Sequence, residues 1–147
     1  MKEIEDLRNQ LDRHVIFCRR IISGQYGNDV LRWELLTFLM HIQHAYYYMY
    51  KYIVEKGLRA DSQLMQLLKD AENYFLLLYE GYFKKKEEDV HKIQRLKDKY
   101  QFGLCLNLIN KSENHVVHSY LREIFRLIQL GTSPVLALIL EHEYPGA

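Results

Sequence analysis

Apolar residues recur at three- and four-residue spacing through the first 133 positions, and none of those positions is proline. In a helix interior proline removes a backbone N–H and clashes with the preceding turn. A run of this length without one, carrying that period, predicts long helices. Pro134 and Pro145 fall where a helix would begin or after one has ended.

The pattern resolves into six helical segments. The first is expected over about Lys2–Ile22 with Ile4, Leu7, Leu11, Val15, Cys18 and Ile22 inward, ended by Gly24 and Gly27. Asn28 or Asp29 can cap the second, which runs to about Lys56. Its stripe Leu31, Leu35, Phe38, Ile42, Ala45, Met49, Tyr52 lies beside a second one, Leu36, Met40, Tyr47, Tyr50, Val54. A helix apolar on two faces is expected at the centre. Gly57 closes it and Asp61 or Ser62 opens the third, with Leu64, Leu67, Ala71, Phe75, Leu78 and Tyr82 inward. Lys84–Asp89 is a solvated connection or the first turn of the fourth helix, which continues through Val90, Ile93, Leu96, Tyr100 and Leu104. Ser112 caps a fifth helix with Glu113 in its first turn and Val117, Leu121, Ile124 and Ile128 inward. Gly131-Thr132-Ser133-Pro134 then ends one helix and starts a short sixth that stops near Glu143. The expected fold is all-α, one domain over residues 1–147: an antiparallel bundle of four long helices, a fifth, and a short C-terminal helix.

Composition narrows the chemistry. A 147-residue chain that is 48% hydrophobic can build one core without metal or disulfide staples. A net charge of +1 leaves no global electrostatic footprint for nucleic acid or acidic lipid. Cys18 and Cys105 are too few and too far apart for a disulfide framework or zinc site, so reduced, buried thiols in a cytoplasmic protein are expected. The opening Met-Lys-Glu-Ile-Glu-Asp is charged where a signal peptide would be apolar. The stretch Leu35–Tyr50 is too short to span a bilayer, and no membrane insertion is expected.

Two histidine pairs at i, i+3 spacing, His41/His44 and His115/His118, place two imidazoles on one helix face, and two such helices could hold a metal. Polar seams explain the same residues: Glu34, Thr37, His41, His44, Tyr48, Lys51, Glu55 on the second helix, and His115, Ser119, Arg122, Arg126, Gln129 on the fifth. No Glu-x-x-His accompanies them, so neither metal nor cofactor is expected. Among Tyr46, Tyr47, Tyr48, Tyr50 and Tyr52, most rings belong in the core, while Tyr48 on the seam could serve an interface or stack on a base. Between Lys84 and Lys99 basic side chains outnumber acidic ones, a solvated run with a weak leaning toward RNA.

The segment Ser112-Glu113-Asn114-His115-Val116-Val117-His118-Ser119-Tyr120 resembles the signature of the HEPN (higher eukaryotes and prokaryotes nucleotide-binding) superfamily. In its nucleotidyltransferase-paired toxins the signature is arginine, often asparagine, a spacer, histidine, any residue and tyrosine. Asn114, His118 and Tyr120 occupy the matching places, and the resemblance covers roughly residues 30–140. It implies an RNA-directed, dimeric toxin- or defence-type domain in which arginine stabilises phosphate and histidine assists 2′-hydroxyl attack. Glu113 stands where the family has arginine, which implies reduced or absent endoribonuclease activity. Arg122, one turn beyond His118, is the cation that could substitute, so His118, Arg122, Asn114 and Tyr120 are the expected site. A second match, Arg8-Asn9 with His14, lies in another helix.

The segment Tyr82–Tyr100, with Arg126–Thr132, also looks like the later helices of archaeal PhoU-like phosphate-uptake regulators, which bind metal clusters through acidic residues four apart. Here the corresponding part of the second helix, Met40–His44, has no carboxylate, which implies that metal function is missing. Two function classes follow. The first is a HEPN-like, RNA-directed domain. The other is a non-enzymatic helical adaptor or regulator with a protein partner, PhoU-like or a small helical subunit of a ribonucleoprotein or regulatory complex. A homodimer is compatible with either.

Overall fold

A computed structural model of the chain describes residues 2–25 and 29–143. Within them the helices are α1 (Lys2–Gln25), α2 (Val30–Glu55), α3 (Ser62–Lys84), α4 (Glu87–Lys97), a π-helical segment (Asp98–Leu104), α5 (Cys105–Lys111), α6 (His115–Leu130) and α7 (Thr132–Glu143). No strand occurs among the described residues, and the fold is an all-α helical bundle.

Several boundaries are set by single side chains. Asp29 caps α2 by accepting from the Arg32 N–H at 3.1 Å, and Asp61 caps α3 by accepting from the Leu64 N–H at 2.7 Å. Gly57 takes φ +61° past the end of α2, and Leu58 N–H reaches the Ile53 carbonyl while Gly57 N–H reaches that of Val54. These two bonds satisfy carbonyls left open by the last turn. Lys85, at φ 54°, turns the chain from α3 into α4, whose first turn carries Glu87, Glu88 and Asp89 at the positive end of the helix dipole. Helix α1 runs through Gly24 to Gln25; Gly27 and Asn28 lie outside the described residues.

The centre of the bundle is α6, not α2. Helix α6 meets α2, α3, α4, the π segment, α5 and α7, and it buries Val117, His118, Leu121, Ile124, Phe125, Leu127 and Ile128. Helix α2 lies between α1 on one side and α6 with α7 on the other, burying Leu35, Ile42, Ala45 and Met49 of its expected stripe. From the second stripe Tyr47 is buried, but Tyr50 and Val54 are exposed. On α3 the buried aromatic is Tyr74, whose hydroxyl donates to the Ile93 carbonyl at 2.7 Å, while Phe75 is half-buried.

Residues 87–111 form a nearly continuous helix with a π turn in the middle. The wider turn adds one residue between successive core positions. Tyr100 is therefore followed into the core by Cys105, five residues on, and Leu104, expected inside, faces out. The Cys105 N–H bonds to the Tyr100 carbonyl across that turn. Tyr100 stacks on Phe125 with centroids 4.6 Å apart and planes 4° from parallel.

Helix α1 departs most from expectation. Among the described residues it packs along α2 alone, and none of its described side chains is buried. Its α2-facing side is largely polar: the Arg8 guanidinium lies 4.3 Å from the Tyr47 ring centroid, Asp12 pairs with His44 at 3.1 Å, and Arg19 donates to Thr37 at 2.6 Å beside the Trp33 ring. Leu7 and Leu11, expected inward, are 52% and 45% exposed. In this rotation α1 makes cation–π and ion-pair contacts to α2, and its leucines lie outward.

Contacts of α3 with α6 draw those two helices together across the bundle, and α2 makes no close backbone approach to α3. The corner between α2 and α3 is consequently open. It holds an apolar groove of about 400 Å³ whose walls include Leu35, Leu39, Phe75 and Tyr82, with Cys18 and Ile21 of α1 at one side and Val135 of α7 beneath. The run His115–Glu143, α6 with α7, is long and apolar enough to cross a membrane, and more than half of its most apolar window is buried inside the protein.

Candidate functional site

The segment carrying the HEPN-like signature spans the α5–α6 connection and the first half of α6. Lys111 ends α5, Ser112 accepts from the Asn114 N–H at 3.0 Å, and α6 starts at His115 with Asn114 at its N-cap position. The Asn114 main-chain carbonyl accepts from Val117 and His118, and its side chain makes no cap bond. Ser112, the expected cap, thus orders the turn before the helix, and Glu113 is exposed in that turn.

His118 is 4% exposed, and its Nδ1 has no hydrogen-bond partner. Burial depresses its pKa below the ordinary histidine value, with the Asp61 carboxylate at the start of α3 opposing the shift. The residue sits beside Val117 and Leu121 on the buried arc of α6, not on the polar seam with His115, which is exposed. An imidazole shielded from water is poorly placed to exchange a proton with a substrate.

Arg122 takes a different direction. Its Nε donates to the Gln101 main-chain carbonyl at 3.2 Å, and its guanidinium lies 5.6 Å from the Phe102 ring centroid. The same turn gives a second bond, the Gln101 side-chain amide donating to the Phe125 carbonyl of α6 at 3.5 Å. Arg122 thus secures the π segment against α6. Cys105 is buried nearby, and desolvation raises its thiol to about 12 despite the positive charge of Arg122. At that value the thiol stays protonated and is a weak nucleophile. Tyr120 is half-buried against the core. No side-chain hydrogen bond among the described residues joins any two of Asn114, His118, Tyr120 and Arg122.

The remaining candidates are distributed over the surface. His44 is half-buried and pairs with Asp12, His41 is exposed, and Tyr48 is 48% exposed with its ring edge-on to Tyr47 and His44. Arg126, on the α6 seam, is held by both carboxylate oxygens of Glu123. Among the described residues no group of three or more histidines, cysteines or carboxylates gathers as metal ligands would. Arg8 and His14 of the second signature match lie on α1, where Arg8 is occupied by the Tyr47 ring.

The open α2–α3 corner and the outward apolar face of α1 were not anticipated from the spacing. A signal was present: α1 carries Phe17 and Ile21 outside its assigned stripe, and α3 carries a second row, Leu76, Tyr79, Phe83, beside its core row. An apolar row without a partner helix is the sequence form of an open surface. The chain matches no protein-family model, no curated protein and no solved structure.

Proposed function

We propose that this chain is a non-enzymatic helical adaptor, acting through its outer helix faces and not through a reaction centre. The observation that carries this reading is the burial of His118, the one imidazole the signature would employ: it is 4% exposed and without a partner at Nδ1, and burial disfavours its charged form. Its companion cation is already bonded to a main-chain carbonyl of the π segment. Large apolar side chains stand open on two outer helices instead, among them Leu7 and Phe17 on α1 and Leu76, Tyr79 and Phe83 on α3. Clusters of this kind mark interaction surfaces in soluble proteins.

The deciding experiment incubates the wild type, His118→Ala and Arg122→Ala with end-labelled structured and single-stranded RNA in the presence of chelator. All three are expected to leave the RNA intact over hours. Cleavage by the wild type that vanishes in both variants would overturn the adaptor reading in favour of a HEPN-like ribonuclease.

A further inference from the structure

The groove at the open α2–α3 corner is walled on several sides. Helix α1 packs on α2, and α7 packs on both α2 and α3, so the space is closed along α2 and beneath, at Val135. Among the described residues no contact joins α1 to α3, and the exposed side chains of Ile21 on α1 and Tyr79 and Phe83 on α3 flank the opening. At about 400 Å³ the groove has the size of a small-molecule site. Such sites are concave, mostly apolar, supplied with a few polar groups, and often lie between the helices of a bundle.

Its lining is polarised from end to end. Arg32, in the first turn of α2, is the one charged side chain among the described residues of the wall. Leu39, about two turns further along α2, lies toward an end that carries no charge. Arg32 is paired with Asp29, which raises its pKa most; burial opposes that shift, and the nearby Tyr82 hydroxyl adds to it. Asp29 engages the Nη1 of Arg32, and a guanidinium has further N–H donors in its fork with which to hold a second oxyanion. The Arg32–Asp29 pair is neutral by itself, but Lys85 adds a surplus positive charge beside it. The Lys85 Nζ lies 4.8 Å from the centroid of the Tyr82 ring. Its neighbours Lys84 and Lys86 both pair with Glu80, whereas Lys85 pairs with no described carboxylate. The charged end of the groove therefore favours an anion, and the rest of its wall favours hydrocarbon.

We propose that the groove binds a free fatty-acid anion, with its alkyl chain along Leu36, Leu39 and Phe75 and its carboxylate at Arg32, on the side of Tyr82 and Lys85. A carboxylate of ordinary pKa is fully ionised at neutral pH. This site goes beyond the adaptor reading and does not rest on it, since binding of a small anion and cleavage of RNA are read out separately.

The test is calorimetric titration of the full chain with octanoate, decanoate and dodecanoate, each below its micellar concentration. One saturable site is expected, tightening about fourfold per added methylene until the groove is filled. Arg32→Gln is expected to weaken decanoate about tenfold. Asp29→Asn keeps a capping side chain and releases Arg32 from its carboxylate, so it is expected to tighten decanoate several-fold. Decanol reads the apolar wall alone and should bind the wild type and both variants alike, which also shows that the variants fold. A decanoate affinity unchanged by Arg32→Gln or by Asp29→Asn overturns the proposal, as does equal affinity for decanoate and decylammonium. Failure to bind decanoate overturns it as well. Binding of phospholipid vesicles, or a dimer lost on Phe83→Glu, would in that event assign the opening to a membrane or to a second copy of the chain.

Discussion

The Nε of Arg122 on α6 donates to the main-chain carbonyl of Gln101 in the π segment, 3.2 Å away. That carbonyl thus has a partner on another helix, and the guanidinium also packs toward Phe102. Arg122→Ala is expected to destabilise the fold by about 1.5–3 kcal/mol, the range for a hydrogen bond from a charged donor. Urea unfolding would measure it. Arg122→Lys should recover little, since an ammonium cannot reproduce the flat fork. An unchanged midpoint in Arg122→Ala would mean that the contact contributes nothing to stability.

His118 makes stability depend on pH. Its folded pKa lies below the ordinary value because burial disfavours the imidazolium. The unfolded chain takes up a proton at that position near pH 6.5, and the folded chain resists doing so until lower pH. Unfolding is therefore favoured progressively as pH falls through about 6.5, and this contribution is absent well above it. Urea midpoints at pH 7.5 and 5.5 should fall for the wild type and fall less for His118→Leu. Equal declines would trace the acid sensitivity to other groups.

Neighbouring positions on α2 should respond very differently. Ile42 is 4% exposed and His41 is exposed. Ile42→Asp places an unpaired carboxylate against the core and is expected to cost at least about 4 kcal/mol. His41→Ala should stay within about 0.5 kcal/mol. Thermal melts of the two variants test which way the face of α2 points.

Gly81 of α3 is buried against Val90 of α4. A methyl group there would lie 2.7 Å from Val90 Cγ2, with Val135 behind it at 3.9 Å. Gly81→Ala is expected to destabilise by about 1–3 kcal/mol through overpacking, although alanine favours a helix by about 1 kcal/mol over glycine. Val90→Ala in the same chain should restore part of the loss, and a double-mutant cycle would show the coupling.

Much of the helical framework was legible because local chemistry dictates it. Asp29, Asp61 and Gly57 act where their side chains or conformational freedom permit, and Val117, Leu121, Ile124 and Ile128 face inward as their spacing requires. Two features depended on partners far along the chain. The π turn shifts the register of one helix so that Tyr100 and Cys105 both reach the core, and nothing at four-residue spacing announces it. The rotation of α1 sets Arg8, Asp12 and Arg19 against Tyr47, His44, Thr37 and Trp33 and leaves Leu7 and Leu11 outward, and the apolar spacing alone does not announce it. The environment of His118 was obscured for a related reason. Its spacing from His115 suggested a shared polar face, but the arc of α6 that neighbours cover is wide enough to enclose it.

Because the hub of the bundle is α6, the order of synthesis and the order of assembly run against each other. Helices α2 and α3 leave the ribosome well before α6, yet both pack on α6, a segment emerging tens of residues later. Until then α2 has only α1 against it and α3 only α4 and the π segment, and α2 and α3 do not pack closely even in the finished fold. The nascent chain must therefore pass through a stage of exposed apolar helices, the condition in which aggregation competes with folding and chaperones are engaged. Completion of α6 is the event that ends it.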